Sequence, residues 1–195
     1  MFLPGDILAR FNRECAMTEP RRRFPHKLYL VLLDNRDGPS IRAGRSLWAL
    51  QRPMSYYAGE NRDEEIVVPA GFVTDLASIP RLVWSFYPPD GPWVKAAIIH
   101  DFLYDTQGDG RWNSTTGVSR AEPYSRAESD GILLEGMAER SVGRWERFVI
   151  WASVRLGGQR GWDRAGELRE ARQKLGKATV KKAGPAVAAS PAKPA

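Results

Sequence analysis

The sequence contains one cysteine, Cys15, and two histidines among its 195 residues. A single cysteine excludes an internal disulfide framework and suits a reducing compartment, and so few thiols and imidazoles do not favour a structural zinc site. Long hydrophobic runs are also missing, because His100 and Asp101 interrupt the longest candidate for a membrane span. The first residues lack a charged segment followed by an apolar one, so we expect no signal peptide.

Excess basic charge is concentrated at one end of the chain. The formal net charge is +6, and residues 176–195 hold four lysines and no acid. Removing these four from the 29 basic residues leaves 25 against 23 acidic ones. A nucleic-acid-binding body usually presents a basic face of its own. We therefore rank nucleic-acid binding last among the function classes.

The length predicts one domain with extensions. We expect an N-terminal extension over residues 1–27 and a single α+β domain over 28–162. A charged helix is predicted over 163–175, followed by an Ala/Pro/Lys-rich tail over 176–195. The tail has too little apolar bulk to fold alone, so we expect it to be disordered unless a partner binds it.

The first half of the domain predicts a small, mostly antiparallel sheet. Apolar runs of strand length alternate there with turn residues. The predicted strands are Leu28–Leu33, Ser46–Gln51, Met54–Tyr57 and Glu65–Val68. A compact group of buried helices is predicted to follow, which gives an α+β fold class.

The segment Trp93–Asp105 predicts a buried helix. Nine of its thirteen residues are apolar or aromatic, more than a helix with one narrow apolar stripe would have. It nevertheless contains His100, Asp101 and Tyr104. On a helix, His100 and Tyr104 share one face, and Asp101 points about 100° away. Buried ionisable groups are costly without partners, so other parts of the chain must supply them.

A second helix offers such a partner. It is predicted to begin at the capping box of Ser125 and Glu128, a pattern that also occurs at Ser119 and Glu122, and to reach about residue 140. Asp130 lies on the apolar side of this helix. An inward aspartate needs hydrogen-bond donors, and the buried histidine and tyrosine could supply two. We therefore predict a shared His-Asp-Tyr network.

A third helix is predicted to follow and to end at Gly157 and Gly158. Its apolar residues predict a broad face packed into the core, and its arginines predict an outward face. The helix is Arg144–Leu156; the apolar residues are Trp145, Phe148, Val149, Trp151, Ala152 and Leu156, and the arginines are Arg144, Arg147 and Arg155.

Three ordered motifs carry a family resemblance: T-D-L-A-S-I-P-R over 74–81, H-D-F-L-Y over 100–104 and R-A-E-S-D over 126–130. They resemble a domain-of-unknown-function family, family 1353, that is common in tailed phages and prophages. The resemblance covers roughly residues 28–162. It implies a phage- or prophage-encoded component of the virion or its assembly, such as a tail or connector protein. Such a protein is expected in the host cytoplasm or the virion, bound to other phage proteins through its two terminal extensions.

A second resemblance concerns the histidine helix. His100-Asp101-x-x-Tyr104, followed by Asp130 on another helix, is similar to the phospholipase A2 arrangement. It implies that His100 activates water, that Asp101 holds calcium and that Asp130 orients His100. Asp75 is a second candidate ligand for the cation. The implied function is a metal-assisted hydrolase of ester bonds, although the glycine-rich calcium loop and flanking cysteines of that family are absent.

The same residues also have a purely structural interpretation. A buried His-Asp-Tyr network can hold helices together without any substrate. Asp75 or Ser78 could instead cap a short helix over about Pro80–Phe86. Ser78 lacks the glycines of a nucleophile elbow, so we do not assign it as a nucleophile. A sealed His100 would favour the structural interpretation, and an opening onto a cleft would favour the hydrolase.

Overall fold

The computed structural model describes residues 21–33, 47–76, 91–112 and 115–183, with side chains described as far as residue 171. Cys15, Ser78 and the predicted short helix over Pro80–Phe86 lie outside the described residues.

The first half forms antiparallel strands, as predicted. The strands are β1 (Leu30–Leu33), β2 (Leu47–Leu50), β3 (Met54–Ala58), β4 (Glu64–Val68), β5 (Val73–Thr74), β6 (Arg111–Trp112) and β7 (Thr115–Thr116). One sheet has the order β1–β2–β5, and β3 pairs with β4 in a separate hairpin. The short strands β6 and β7 form a third pair.

Helices dominate the second half, and the α+β class is confirmed. The helices are α1 (Val94–Asp105), α2 (Arg126–Glu139), α3 (Arg144–Gly157) and α4 (Gln159–Ala183). None of the described helices is long and apolar enough to cross a membrane. The helix predicted over 163–175 lies inside α4, which begins earlier and continues into the segment predicted as a tail.

One of the two predicted capping boxes starts a helix. The Ser125 hydroxyl accepts from the backbone N–H of Glu128 at 3.2 Å, and the Glu128 carboxylate accepts from the backbone N–H of Ser125 at 2.7 Å. The similar pattern at Ser119 begins no helix. Its hydroxyl accepts instead from the backbone N–H of Glu65 at 2.8 Å, so it fastens a loop to β4. A long-range partner has replaced the local capping bond.

Helix α1 is buried between two apolar clusters. On one side Ile98, Ile99 and Phe102 pack with the side chains of the strands. On the other side Ala96 joins the cluster between α2 and α3. Gly136 of α2 permits this close approach, since a Cβ there would lie 2.9 Å from the Ala96 Cβ. The helix that carries His100 is thus enclosed by sheet residues and by helices.

The core face predicted for α3 is only partly observed, because Trp151 packs against the buried cluster but three of the other predicted residues are exposed. Trp145 is 71% exposed, Phe148 51% and Leu156 87%, whereas Ile150 and Val154 are the buried residues of this helix. The apolar pattern predicted one broad buried face, but α2 packs only against the side of α3 that carries Ile150 and Val154. No element in the described part of the chain covers the other side.

The N-terminal residues that are described contact the domain. The ring of Phe24 lies 4.8 Å from that of Tyr56, and the Arg23 guanidinium donates to the Tyr57 carbonyl at 3.0 Å. The domain boundaries at 27, 162 and 175 stay predictions.

Candidate functional site

Asp130 lies at the centre of the site, on the inward side of α2, and is 0% exposed. Its Oδ1 accepts from His100 Nε2 at 3.1 Å and from the Tyr104 hydroxyl at 2.7 Å. The i,i+4 spacing on α1 brings both donors to this one oxygen. The predicted hydrogen-bonded network of His100, Tyr104 and Asp130 is therefore confirmed.

Two arginines complete the surroundings of Asp130. Its Oδ2 lies 2.9 Å from Arg155 Nη1 and 3.5 Å from Arg126 Nη1. Arg126 also donates to the Arg155 carbonyl at 3.2 Å. The predicted outward orientation of Arg155 is wrong, because the buried carboxylate attracts its charged end inward. Arg126 could have been found from its i,i+4 spacing to Asp130, but no local signal marks Arg155.

His100 is enclosed, with 2% of its surface exposed. The Tyr104 ring lies beside it, with ring centroids 4.1 Å apart. Its Nε2 faces Asp130, and its Nδ1 lies 4.0 Å from Asp101 Oδ1, too far for a hydrogen bond. Within the described residues, Nδ1 has no hydrogen-bond partner.

Asp101 connects this enclosed network to a cleft. Its Oδ2 accepts from the Thr74 hydroxyl at 2.5 Å, and its side chain is 20% exposed. A cleft of about 390 Å³ opens here, lined by Asp101, Tyr104, Asp75 and Asp105 among others. His100 does not line it. The structure thus places the two candidate metal ligands, Asp101 and Asp75, together at the cleft, apart from Asp130.

Calcium requires a larger set of oxygen donors. It usually takes about six to eight oxygen ligands, several from carboxylates. Among the described residues, no group of three or more His, Cys, Asp or Glu side chains is arranged to hold a metal ion. Asp101 also already accepts from the Thr74 hydroxyl. These residues do not by themselves make a calcium site, and we derive no reaction step through a metal.

The charges in the network support one another. Burial opposes ionisation of Asp130, but donors from His100, Tyr104 and Arg155 outweigh it and hold the pKa of Asp130 below its usual value. Burial likewise opposes protonation of His100, but the nearby carboxylates of Asp101 and Asp130 raise its pKa. A hydrogen bond from His100 Nε2–H to the Asp130 carboxylate acts in the direction of both shifts.

The pKa values of the two cleft-lining neighbours also rise. Burial raises the pKa of Asp101, and the charge of Asp75 adds to that effect. Burial also raises the pKa of Tyr104, and its hydrogen bond to Asp130 acts in the same direction. The phenol therefore stays protonated near neutral pH and serves as a donor.

Fold and site define an α+β protein in which a buried His-Asp-Tyr network, joined by arginines, links three helices. Residues 48–154 match the family described as Protein of unknown function (DUF1353), and the chain belongs to that family. The match includes His100, Tyr104 and Asp130 and stops one residue before Arg155. No curated protein and no solved structure matches the chain.

Proposed function

We propose that this protein is a phage- or prophage-encoded component of the virion or its assembly, and that it acts by binding other proteins. The observation that carries this proposal is the enclosure of the network, with His100 2% exposed and Asp130 0% exposed. The resemblance of its motifs to a family common in phages supports the phage assignment. The extensions at 1–27 and 176–195 are the segments we expect to contact partners.

The bonding of the network favours a structural role. Asp130 accepts from His100 and Tyr104 on α1 and from Arg155 on α3, so a single carboxylate joins three helices. To act as a general base, an imidazole must be unprotonated and must reach the proton that it removes. His100 has a raised pKa and is enclosed, which suits a hydrogen-bond donor better than a base.

Particle production tests this role directly. The gene is deleted from the phage or inducible prophage that carries it, and complete particles are counted by electron microscopy and infectivity. We expect particles to be absent or incomplete, and we expect wild-type and folded His100→Asn protein to restore them. Mass spectrometry of purified particles then separates a virion component from an assembly factor. Normal particle yield after deletion would contradict both.

A metal-assisted hydrolase is the second candidate function. It is favoured by the unpaired Nδ1 of His100, which lies toward Asp101 at the cleft. With Nε2–H donating to Asp130, a neutral His100 would carry the lone pair on Nδ1, and that atom could take a proton from water. This role requires Asp101 to move, so that water can enter beside His100.

The hydrolase is tested with phospholipid and simple ester substrates, with calcium and with chelator, beside thermal melts. Turnover by the wild type that folded His100→Asn and Asp101→Asn variants both lose would support it. Absence of turnover on all substrates, with no calcium-induced change in melting temperature, would leave the assembly role.

A further inference from the structure

A groove of about 350 Å³ opens beside the first turn of α1. Among the described residues it shares none with the cleft at Asp101. Its volume lies near the lower end of the range of about 300–1,000 Å³ that is typical of small-molecule sites. Its walls are mostly apolar, and they come from the segment before β1, from β1 and β2, from the residues after β5 and from the start of α1. The apolar residues are Leu28, Leu30, Trp48, Leu76, Pro92 and Val94.

Two basic side chains interrupt this apolar lining. Lys95 of α1 and Arg140 at the end of α2 both line the groove. Burial lowers the pKa of Lys95, and the positive charge of Arg140 lowers it further. The two cations are therefore close enough to repel each other, and an anion bound near both would relieve that repulsion. The Lys95 ammonium has donors to offer, because it has three N–H groups and donates one to the His26 carbonyl.

The charge of these cations is not balanced within the groove. No acidic side chain in the described part of the chain lines it. The two glutamates near the end of α2 have other partners, since Glu135 pairs with Arg23 and Glu139 lies 3.5 Å from Arg62. An apolar groove with two cations and no acid favours a ligand that has both an apolar part and a negative charge.

The N-terminal end of α1 adds to the positive potential. Pro92, Val94 and Lys95, at the start of this helix, line the groove. The side chain of Trp93, the N-cap residue, makes no capping hydrogen bond, and the first turn contains no acidic residue. A helix N-terminus carries partial positive charge, so it favours an anion and disfavours a lysine in its first turn. An anion in the groove would compensate both the helix end and Lys95.

These observations together specify a ligand. We propose that the groove binds a small anionic amphiphile, in which a carboxylate or phosphate head group is joined to a single apolar chain. The head group binds Lys95 and Arg140, whose guanidinium matches the geometry of either anion. The apolar chain lies along the walls that include Leu30 and Trp48. This inference goes beyond the assembly role and does not depend on it.

Matched single-chain compounds test the groove on the full-length chain. Isothermal titration calorimetry is carried out below their micelle concentrations with decanoate, decyl phosphate, decanol and decylammonium. We expect the two anions to bind saturably and decanol to bind at least about tenfold more weakly. Decylammonium should not bind, and added salt should weaken the anions but not decanol. The tighter of the two anions identifies the preferred head group.

Variants locate the site on the protein. Arg140→Gln and Lys95→Gln should each weaken the anions at least about tenfold and leave decanol unchanged, because each removes a charge and leaves the apolar walls in place. Leu28→Ser removes part of a wall and should weaken the anions and decanol alike. The control is Arg144→Gln, which removes an exposed arginine that does not line the groove and should leave all binding unchanged. Thermal melts show whether each variant keeps the fold.

Other occupants give different results. An acetylated tri-leucine peptide with a free carboxyl end tests a protein terminus, and phosphatidylglycerol vesicles test a membrane surface. Tighter binding of the peptide than of decanoate, or vesicle binding that Arg140→Gln abolishes, would overturn the proposal. Equal binding of decanoate and decanol, or no saturable binding of either anion, would also overturn it. None of these results affects the particle-assembly test, so a failure here leaves the assembly role intact.

Discussion

Arg155 Nη1 lies 2.9 Å from Asp130 Oδ2 and ties α3 to α2 through a carboxylate that is 0% exposed. The other oxygen of the same carboxylate accepts from His100 and Tyr104 on α1. The carboxylate of Asp130 on α2 is therefore bonded to side chains of both α1 and α3. Breaking a buried pair of this kind is more costly than removing an ion pair at the surface.

Asp130→Asn should lower the free energy of unfolding by about 3 kcal/mol, because the cationic side chains around it would lose their counter-charge. Urea denaturation followed by circular dichroism measures the change. The control is Glu139→Gln on the same helix. Glu139 is exposed and pairs with Arg62 over 3.5 Å, so its loss should cost about 0–1 kcal/mol. Equal losses in the two variants would contradict the central role of Asp130.

Tyr104→Phe should cost less, about 1 kcal/mol, because it removes one neutral donor and leaves the other contacts of Asp130 in place. Tyr29→Phe is the control, since Tyr29 is 39% exposed and should be nearly neutral. Thermal melts of the three proteins make the comparison. A loss in Tyr104→Phe as large as that of Asp130→Asn would show that the phenol has a further, larger role.

Helical periodicity was sufficient to predict the centre of the site. His100 and Tyr104 are i,i+4 on a segment too apolar to be exposed, and Asp130 lies on the apolar side of the next helix. Since buried polar groups must pair, their meeting followed from local pattern alone. Arg155 could not be found in this way, because its direction depends on where α3 packs, and the sequence does not state that.

The same limitation explains the error on α3. Apolar residues occur around much of this helix, so their pattern predicts a broad buried face. Only tertiary packing decides that Ile150 and Val154 turn inward while Trp145 and Leu156 stay exposed. Ser119 shows a comparable limitation. Its sequence has the pattern of a capping box, but its hydroxyl accepts a hydrogen bond from the Glu65 backbone N–H of β4 and begins no helix.

Gly71 and Gly108 both have positive φ, but only at Gly108 would an added Cβ overlap other atoms, so alanine substitutions at the two sites distinguish backbone strain from steric overlap. Gly71 has φ +84°, and an added Cβ there would meet nothing within 4 Å. Gly71→Ala should therefore cost only about 1–2 kcal/mol of left-handed strain. Gly108 has φ +75°, and its Cβ would overlap the Tyr124 carbonyl. Gly108→Ala should cost clearly more by urea denaturation; equal costs would contradict this packing.

The pH dependence of stability tests the charge state of His100. Its pKa is raised in the folded protein, because the carboxylates of Asp101 and Asp130 outweigh the effect of burial. A raised pKa means that the folded state binds more protons than the unfolded state near neutrality. The stabilisation is fully present below the unfolded value of about 6.5 and is lost as pH rises through the folded pKa.

The free energy of unfolding should therefore fall as pH rises above about 6.5 and through the folded pKa of His100, and His100→Asn should remove that part of the slope. Urea titrations at several pH values measure it. His26→Asn, at an exposed position, is the control for the same substitution outside the network. A slope that is unchanged in His100→Asn, or stability that rises with pH in the wild type over this range, would show that the buried imidazole is neutral. A neutral His100 with a free Nδ1 would in turn favour the hydrolase over the structural link.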